Sequence, residues 1–469
     1  MNLEKKSLDR RVFLRGTLAA AVLAPMGASL ASCAAGGGGT GGGAQQTGTV
    51  SDANPFGVAE GSSVDIVVFD GGYGTEYAEF AANLMNKNLN TKAKVSPSND
   101  ISGELQPRFS QQNPPDCFDN SGAKSIGNNI IVDQLSDVME VFNAKNLEGT
   151  VIKDTLYPGA IDSGLLGDKY AQINYVMAVF GLWYSKSLFD ENGWTPPTTW
   201  DEVIELGAQA DSKGKKLFVW GKEAASYYNE LLITSAIKQA GDELRLELEN
   251  LKPNAWKNPA IKAVLEKMKE CVDKGYFVPG GSGTGFTQAQ AQWSNNQDAI
   301  LYPSGSWIEN EMKDQTKSGF EMQVVAAPIV SSDAKLPDAI HASAGEPFLL
   351  PSQAKNLAGG KEFMRVMLSK DAATNFAEKI KSPTIVKDTV PEDGFGSSAL
   401  KSMMSMLNTA GENVFNIKFT GLYGTNADTL VLWNSFLDGK ASVDDVINRS
   451  QDMFDKIAND SSINKVEVK

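Results

Sequence analysis

Short apolar runs alternate with longer amphipathic stretches along most of the chain. The first run, residues 64–69, is rich in β-branched side chains and leads into the sequence DGGYG at residues 70–74. Such a run predicts a buried strand followed by a turn. Residues 78–88 come next, with apolar side chains at helical spacing, and predict a helix. This order of strand, turn and helix predicts the opening of an α/β unit.

The same alternation continues towards the end of the chain. Residues 92–95 and 116–118 predict further strands. Thr199 and Ser442 each precede acidic residues, in a pattern favourable for helix N-caps. The stretches that predict helices are 200–212, 226–241, 258–274, 358–369, 371–381 and 443–459. Because no repeat of about 20–50 residues is present, the pattern indicates open α/β sheets rather than a solenoid or a propeller.

One apolar stretch, near the N-terminus, has a different character. Arg10 and Arg11 precede an apolar run over residues 18–30, which leads to Cys33. Paired arginines, a short apolar run, small residues and a cysteine are typical of a twin-arginine lipoprotein signal. A transmembrane helix is the alternative, but the run is shorter than the ~20 residues that span a bilayer. We therefore predict a signal over residues 1–33, lipidation of Cys33, and tethering to the outer face of the cell membrane.

Residues 34–60 are rich in glycine and polar side chains. A segment of this composition cannot bury enough apolar area to offset the entropy of ordering it. We predict a flexible linker here, with an end-to-end reach of roughly 30 Å. The folded part of the protein would then lie near the membrane.

Length and charge narrow the classes of function. Residues 61–469 exceed the usual size of one domain, so we predict two lobes. The formal net charge of the chain is −14, and the N-terminal signal is basic, so the remainder is more acidic still. An acidic surface disfavours nucleic acid and other polyanions as partners.

Cysteine and histidine usage narrows the chemistry further. Apart from Cys33, only Cys117 and Cys271 are present, too few for a disulfide framework, although a single bridge stays open. His341 is the only histidine, which excludes a site built from several histidines. We interpret His341 as a polar residue near a chain crossover. The glycines of residues 71–74 lack the spacing of a nucleotide-binding loop, and we predict neither a metal nor a cofactor.

Several sequence blocks resemble those of one family of binding proteins. Residues 181–189 read GLWYSKSLF, and residues 196–202 read PPTTWDE. Residues 298–307 (DAILYPSGSW) and residues 348–352 (FLLPS) follow in the order of the family's later blocks. Together these blocks resemble the extracytoplasmic solute-binding proteins of sugar ABC transporters.

Within that family, the sequences DGGYG at 70–74 and AGEP at 344–347 resemble actinobacterial lipoproteins that bind N-acetylglucosamine and diacetylchitobiose. The resemblance implies a two-lobed α/β fold of the periplasmic-binding-protein type, with a hinge and a ligand cleft between the lobes. It also implies a carbohydrate ligand, ABC permease subunits in the membrane as partners, a monomer, and no catalytic activity. The predicted bounds are 60–175 plus 344–395 for lobe 1 and 176–343 plus 396–469 for lobe 2.

A pyranose ring has an apolar face and a rim of hydroxyl groups. Its site therefore needs aromatic planes together with hydrogen-bond donors and acceptors. Trp307 is the first candidate for an aromatic platform, because it follows a turn of small residues and the resemblance implies that it stacks on sugar. The other aromatic candidates are Tyr227, Tyr228, Trp293 and Tyr423. For these side chains, packing in the core is the alternative.

Polar candidates come from loops and crossovers near predicted strand ends, where open α/β sheets place their ligands. They are Gly72, Tyr73 and Glu76 after the first strand, Asp119, Asn120 and Ser121 after the strand at Cys117, Asn174 and Tyr175 at the first crossover, and Glu346 at the second. Ordinary turn or cap chemistry is the alternative for each. Trp183, Trp194 and Trp200 lie in the family blocks, and we predict that they pack in the core or at the lobe surface.

Two other functions remain open from the sequence. A secreted glycoside hydrolase would use a carboxylate pair near the same aromatic residues, and Asp119 and Glu346 could fill those roles. A sugar-sensing accessory of a membrane receptor would share both the fold and the site. Because the family that the chain resembles consists of non-enzymes, we expect binding without chemistry.

Overall fold

The computed structural model describes residues 47–122, 124–157, 159–463 and 465–468. The predicted signal over 1–33, its lipidation site Cys33 and the first part of the predicted linker lie outside the described residues. Among the described helices, none combines the length and the apolar character that crossing a bilayer requires.

Strands and helices alternate through the described residues, as the hydrophobic pattern predicts. The strands are β1 Ser63–Phe69, β2 Lys92–Ser98, β3 Cys117–Asp119, β4 Leu165–Leu166, β5 Lys169–Tyr170, β6 Gln172–Val179, β7 Gly181–Ser185, β8 Lys216–Phe218, β9 Ala299–Ser304, β10 Met322–Val325, β11 Ile340–Leu349 and β12 Val414–Phe415. The helices are α1 Glu76–Leu89, α2 Ile101–Ser110, α3 Asn128–Ile131, α4 Met139–Asn143, α5 Lys186–Asn192, α6 Trp200–Ser212, α7 Ser226–Ala240, α8 Asp242–Glu249, α9 Pro259–Asp273, α10 Phe286–Ser294, α11 Ile308–Met312, α12 Leu357–Met367, α13 Lys370–Ile380, α14 Ser398–Ala410, α15 Phe419–Tyr423, α16 Asn426–Leu437 and α17 Val443–Asn459.

One sheet has the strand order β12-β11-β3-β1-β2, and β6 joins it by pairing with β11. β1 runs parallel to β2 and β3, whereas β11 runs antiparallel to β3 and β6. Helices α1, α12 and α13 pack together beside it. Its core holds Tyr77, Tyr175, Phe348 and Phe376, whose rings pack with centroids 5.0–6.4 Å apart. We call the part of the protein built on this sheet the first lobe.

The other large sheet has the strand order β10-β7-β9-β8. β7 runs antiparallel to both of its neighbours, and β8 runs parallel to β9. Helices α6, α7, α9, α16 and α17 form the apolar core beside it. Trp183, Trp194 and Trp200 are all buried, which confirms that these three side chains serve packing. We call the part built on this sheet the second lobe.

The chain crosses from the first sheet to the second at Phe180, between β6 and β7, and β11 returns it to the first sheet. β6 and β11 pair along most of their length, and the backbone N–H of Phe180 donates to the carbonyl of His341 at 3.0 Å. His341 therefore lies at a crossover, as predicted. The architecture is the two-lobed α/β fold that the sequence predicts, with its connecting strands side by side at the hinge.

Helix N-caps occur at both positions that the sequence indicates. The hydroxyl of Thr199 accepts from the backbone N–H of Glu202 at 3.2 Å, and that of Ser442 accepts from Asp445 at 3.1 Å. In both helices the acidic side chain also accepts from the backbone N–H of the cap residue, which completes a capping box.

Cys117 lies in β3 of the first lobe and Cys271 in α9 of the second. Both are buried and free, so the single bridge that the sequence leaves open is not formed. Burial raises the pKa of both thiols, to about 12 for Cys271, so neither ionises at neutral pH.

The C-terminal part of the predicted linker, residues 47–60, packs as part of the folded body. The backbone N–H of Gly48 donates to the carbonyl of Gly57 at 2.7 Å, and the side chain of Val58 is buried. The guanidinium of Arg365 in α12 donates to the carbonyl of Ala53 at 3.2 Å. A flexible linker thus remains a prediction only for the residues before this segment.

Candidate functional site

Three aromatic side chains from separate segments meet at the edge of the second lobe. Trp307 follows β9, Tyr227 lies in the first turn of α7, and Phe180 occupies the crossover. The ring centroid of Trp307 lies 5.5 Å from that of Phe180 and 6.0 Å from that of Tyr227. All three rings are only half-buried. We call them the aromatic cluster, and they provide the apolar planes that a sugar ring needs.

Gly305 makes room for the Trp307 ring. A Cβ atom at position 305 would lie 2.2 Å from the six-membered part of the Trp307 ring. Any other residue at this position would therefore displace the indole. This close approach explains why the turn before Trp307 consists of small residues, the feature that singled out Trp307 in the sequence.

The loop after β1 in the first lobe reaches the aromatic cluster. The hydroxyl groups of Tyr73 and Ser306 are 3.1 Å apart, and Asn310 donates from its side-chain amide to the carbonyl of Gly72 at 2.7 Å. A Cβ atom at Gly72 would lie 3.1 Å from the Cβ of Trp307. These contacts join the two lobes, so the structure represents a closed arrangement.

A second group of predicted residues meets in the first lobe. Asp119 ends β3 and is fully buried, and Glu346 of β11 lies beside it with a backbone φ of +53°. The carboxylate of Asp119 accepts from the backbone N–H of Phe69 at 3.2 Å and from the hydroxyl of Ser121. A residue other than glycine with positive φ is strained, and such strain is concentrated at functional sites.

The carboxyl groups of Asp119 and Glu346 are neighbours in the buried part of the first lobe, so a proton on one of them is favoured. Burial and the nearby charge of Glu346 raise the pKa of Asp119 well above its ordinary value, and burial also raises the pKa of Glu346. The two carboxyl groups lie close enough for a hydrogen bond when one of them is protonated. We call this pair the carboxyl dyad. Burial, and after it the nearby charge of Glu346, raises the pKa of the Tyr73 phenol, so Tyr73 keeps its proton and can donate a hydrogen bond.

In this closed arrangement, three other predicted residues make their hydrogen bonds or ring contacts within the first lobe. Asn120 both accepts from the backbone N–H of Ile126 and donates to its carbonyl, at 2.8 Å each. Asn174 donates to Ser163 and accepts from Gln172, and Tyr175 lies in the aromatic core of the first lobe. The structure does not bring these three side chains to the aromatic cluster.

The remaining predicted residues also lie apart from the aromatic cluster. Tyr228 is buried, with its hydroxyl donating to the carbonyl of Val219 at 2.8 Å. Trp293 is fully buried. The hydroxyl of Tyr423 accepts from the backbone N–H of Val466 at 3.3 Å, and Glu76 is exposed at the start of α1.

A cavity beside the aromatic cluster contains residues that the sequence did not single out. Its volume is about 200 Å³, and its lining includes Phe180, Tyr227, Glu230 and His341. Glu230 lies on α7, whose helical pattern gives no hint that one acidic side chain is turned inward. His341 was identified only as a crossover residue. Within the described residues, no group of His, Cys, Asp or Glu could hold a metal ion.

Replacing Asp119 by asparagine is expected to make folding stability less dependent on pH. The unfolded carboxyl ionises above about pH 4, whereas the buried dyad holds its proton, so the stability of the native protein falls as pH rises through this range. The Asp119→Asn variant retains an N–H that can donate to Glu346 but does not titrate. We expect it to be more stable than the native protein at pH 8, with the difference disappearing towards pH 4. Urea unfolding between pH 4 and pH 8 measures this.

Asp190→Asn is the control for the dyad, because Asp190 is an exposed acid on α5. Its stability curve should run parallel to that of the native protein. Parallel curves for Asp119→Asn as well would show that Asp119 is ionised in the folded protein and would contradict a proton held by the dyad.

The known proteins to which this chain is similar in sequence are solute-binding proteins. The model of the family described as bacterial extracellular solute-binding protein matches residues 78–401. The diacetylchitobiose binding protein NgcE of Streptomyces coelicolor is 49% identical over 471 residues, covering 100% of both chains. A multiple sugar-binding protein of Streptococcus mutans is 25% identical over 218 residues, which cover 45% of this chain and 50% of that protein.

Solved structures agree on the fold. A chitin oligosaccharide binding protein has a TM-score of 0.67 at 16% sequence identity, with 84% of this chain and 98% of that chain covered. A sugar transporter protein from Arthrobacter chlorophenolicus with bound laminaribiose has a TM-score of 0.65 at 15% identity, with 84% and 99% covered. These likenesses support the two-lobed architecture. With a family match over most of its folded part and a relative of 49% identity over its whole length, the chain belongs to the bacterial extracellular solute-binding proteins.

Proposed function

We propose that this protein captures diacetylchitobiose, or its N-acetylglucosamine unit, between its two lobes and delivers it to an ABC permease. The observation that carries the proposal is the half-buried Trp307, flanked by Phe180 and Tyr227 and touched from the other lobe by the Gly72–Tyr73 loop. An aromatic plane at a closing interface suits the apolar face of a sugar ring. The relative of 49% identity carries the name of a diacetylchitobiose binding protein, which supports the choice of ligand.

Closure of the two lobes distinguishes the sugar-bound form, which a permease can then recognise. Contacts such as that between the Tyr73 and Ser306 hydroxyls exist only when the lobes meet. A sugar that touches both lobes binds the closed form better than an open one, and so shifts the population towards closure. The permease subunits would recognise the closed form and accept the sugar.

The carboxyl dyad supports binding without chemistry. Glycosidases hold their two catalytic carboxyl groups about 5 Å or more apart, so that the substrate fits between them. Asp119 and Glu346 instead lie within hydrogen-bonding reach of each other. This arrangement suits hydrogen bonds to sugar hydroxyls better than attack at an anomeric carbon.

The protein acts outside the cytoplasm, as the members of its family do. We propose that it leaves the cytoplasm by the twin-arginine route and is then held at the membrane by a lipid on Cys33. The Gly-rich residues after Cys33 would let the folded part reach the permease. The protein would act as a monomer, with one sugar bound to each copy.

Calorimetric titration of the purified protein tests this function. We expect binding of diacetylchitobiose and N-acetylglucosamine at one site per chain, with a dissociation constant near micromolar, equivalent to about −8 kcal/mol. Cellobiose and maltose should give no heat. Binding of no sugar at all would overturn the proposal, and tighter binding of cellobiose than of diacetylchitobiose would overturn the choice of ligand.

A further inference from the structure

The cavity of about 200 Å³ beside the aromatic cluster is lined by groups from the crossover, from helices of the second lobe and from β11 of the first sheet. Phe180 and Tyr227 form its border with the aromatic cluster. Glu230 comes from α7, His341 from β11, and Thr420 from α15. The lining thus combines aromatic and polar side chains, and it shares Phe180 and Tyr227 with the aromatic cluster.

Three polar atoms in the cavity lining lack a hydrogen-bond partner within the described residues. They are Oε2 of Glu230, Nδ1 of His341 and Oγ1 of Thr420. Oε2 of Glu230 and Nδ1 of His341 are 3.5 Å apart. Leaving a buried polar atom unpaired costs about 1–3 kcal/mol. Three such atoms around one cavity therefore indicate that a polar ligand pairs with them.

The His341 ring is held in one orientation. It stacks on Phe180 with centroids 4.2 Å apart and on Phe415 with centroids 5.9 Å apart, and both pairs of rings are nearly parallel. The other ring nitrogen is engaged by a hydrogen bond with Asn416, since Nδ1 has no partner. Burial lowers the pKa of His341 to about 3, so the ring is neutral. Nδ1 of this neutral ring lies 3.5 Å from Oε2 of Glu230.

Glu230 presents a second acceptor beside it. Burial and the neighbouring Glu249 raise the pKa of Glu230 to about 7, so its carboxyl group titrates near neutral pH. With Glu230 ionised, two acceptors stand side by side and no donor lies between them. The matching ligand must supply two donors on neighbouring atoms. It must also bring an acceptor for the Thr420 hydroxyl and an apolar group for the Phe180 wall.

We propose that Glu230, His341 and Thr420 form the subsite that recognises the 2-acetamido group of the sugar, and so determine specificity. The amide N–H donates to Glu230, and the neighbouring ring hydroxyl donates to His341. The amide carbonyl accepts from the Thr420 hydroxyl, and the methyl group packs on Phe180. A sugar with a bare 2-hydroxyl leaves Thr420 unpaired and the apolar wall uncovered. This inference rests on the proposed function and deepens it.

Near-isosteric variants of the full chain test the subsite by calorimetric titration with diacetylchitobiose. In Glu230→Gln the new N–H can donate to His341 and pair the two groups without ligand, so we expect affinity to fall about tenfold to a hundredfold. His341→Phe keeps the stack with Phe180 and Phe415 but removes Nδ1, and Thr420→Val removes the hydroxyl. We expect each of these two to lose about tenfold. Circular dichroism melts confirm that each variant folds.

Glu249→Gln is the matched control. Glu249 is also a buried carboxyl group, and its pKa is also raised to about 7, but it does not line the cavity. Loss of the Glu249 charge lowers the pKa of Glu230 and leaves Glu230 more fully ionised, but it removes no contact with the ligand, so affinity should stay within about twofold of the native value. Normal binding by the native protein together with unchanged binding by all three subsite variants overturns the subsite and leaves the proposed function standing. An equal loss in Glu249→Gln also overturns the subsite, because charge alone would then explain the effect. No binding by the native protein overturns both proposals.

Discussion

Replacing Trp307 by alanine is expected to lower the affinity for diacetylchitobiose about a hundredfold, equivalent to about 2.7 kcal/mol. The indole is half-buried and packs with Phe180 and Tyr227 at 5.5 and 6.0 Å. Truncation removes the apolar plane on which the sugar lies and leaves a gap between the remaining rings. It also removes the indole atoms Cγ and Cδ1, which lie beside Gly72 of the first lobe, although alanine keeps the Cβ atom. Both losses act on the same ligand-bound state.

Calorimetric titration of Trp307→Ala and Trp307→Phe measures this effect. The phenylalanine variant retains a smaller plane and should lose about tenfold in affinity. Trp194→Phe is the control, since Trp194 is buried against Phe189 and lies outside the aromatic cluster. It should lower the melting temperature and leave affinity unchanged. A folded Trp307→Ala protein with native affinity would assign Trp307 to packing between the lobes.

The fold and the position of Trp307 could be predicted because both depend on local sequence. Amphipathic spacing and the caps at Thr199 and Ser442 define helices that the structure places within two residues of the predicted bounds. The small residues before Trp307 are needed because the indole lies against Gly305. Gly72 follows the first predicted strand, but its contact with Trp307 joins distant parts of the chain and could not be predicted from either segment alone. The contact between Gly305 and Trp307, in contrast, joins residues that are close in the chain and can be recognised from the sequence.

The residues around the cavity could not be predicted, because distant segments create their environment. Glu230 and His341 are separated by more than 100 positions, and only the crossover at Phe180 brings them together. The environment of Asn174 could not be predicted for a different reason. It was expected at a loop-like crossover, but every residue of β6 is buried, and in a strand covered on both faces no alternation shows which way a side chain points.

Replacing Arg365 by methionine is expected to lower the free energy of unfolding by about 3–5 kcal/mol. The guanidinium donates to both carboxylate oxygens of Glu362 at 2.7 Å, and both side chains are almost fully buried. It also donates to the carbonyls of Lys145 at 3.0 Å and Ala53 at 3.2 Å. Without Arg365, the Glu362 carboxylate is left in an apolar core with no countercharge.

The loss should depend on pH in a defined direction. Burial already raises the pKa of Glu362, and Arg365 opposes that rise. In the variant the pKa rises further, so Glu362 folds in its protonated form and its penalty grows as pH increases above the ordinary carboxyl pKa near 4. Urea unfolding should therefore show the largest difference between native protein and variant at pH 8 and a smaller one at pH 5. A loss that is equal at both values would contradict this explanation.

The double variant Glu362→Leu with Arg365→Met separates the two contributions of Arg365. A buried ion pair can be replaced by apolar side chains at little or no cost, so the part of the loss caused by the unpaired carboxylate should be recovered. The carbonyls of Lys145 and Ala53 still lack their donor in the double variant. The stability that remains lost then measures what the contacts of Arg365 with the carbonyls of Lys145 and Ala53 contribute together. If the double variant is no more stable than Arg365→Met, those two carbonyl contacts carry the whole effect, and Arg365 stabilises the fold by joining residues 47–60 and the Lys145 loop to α12.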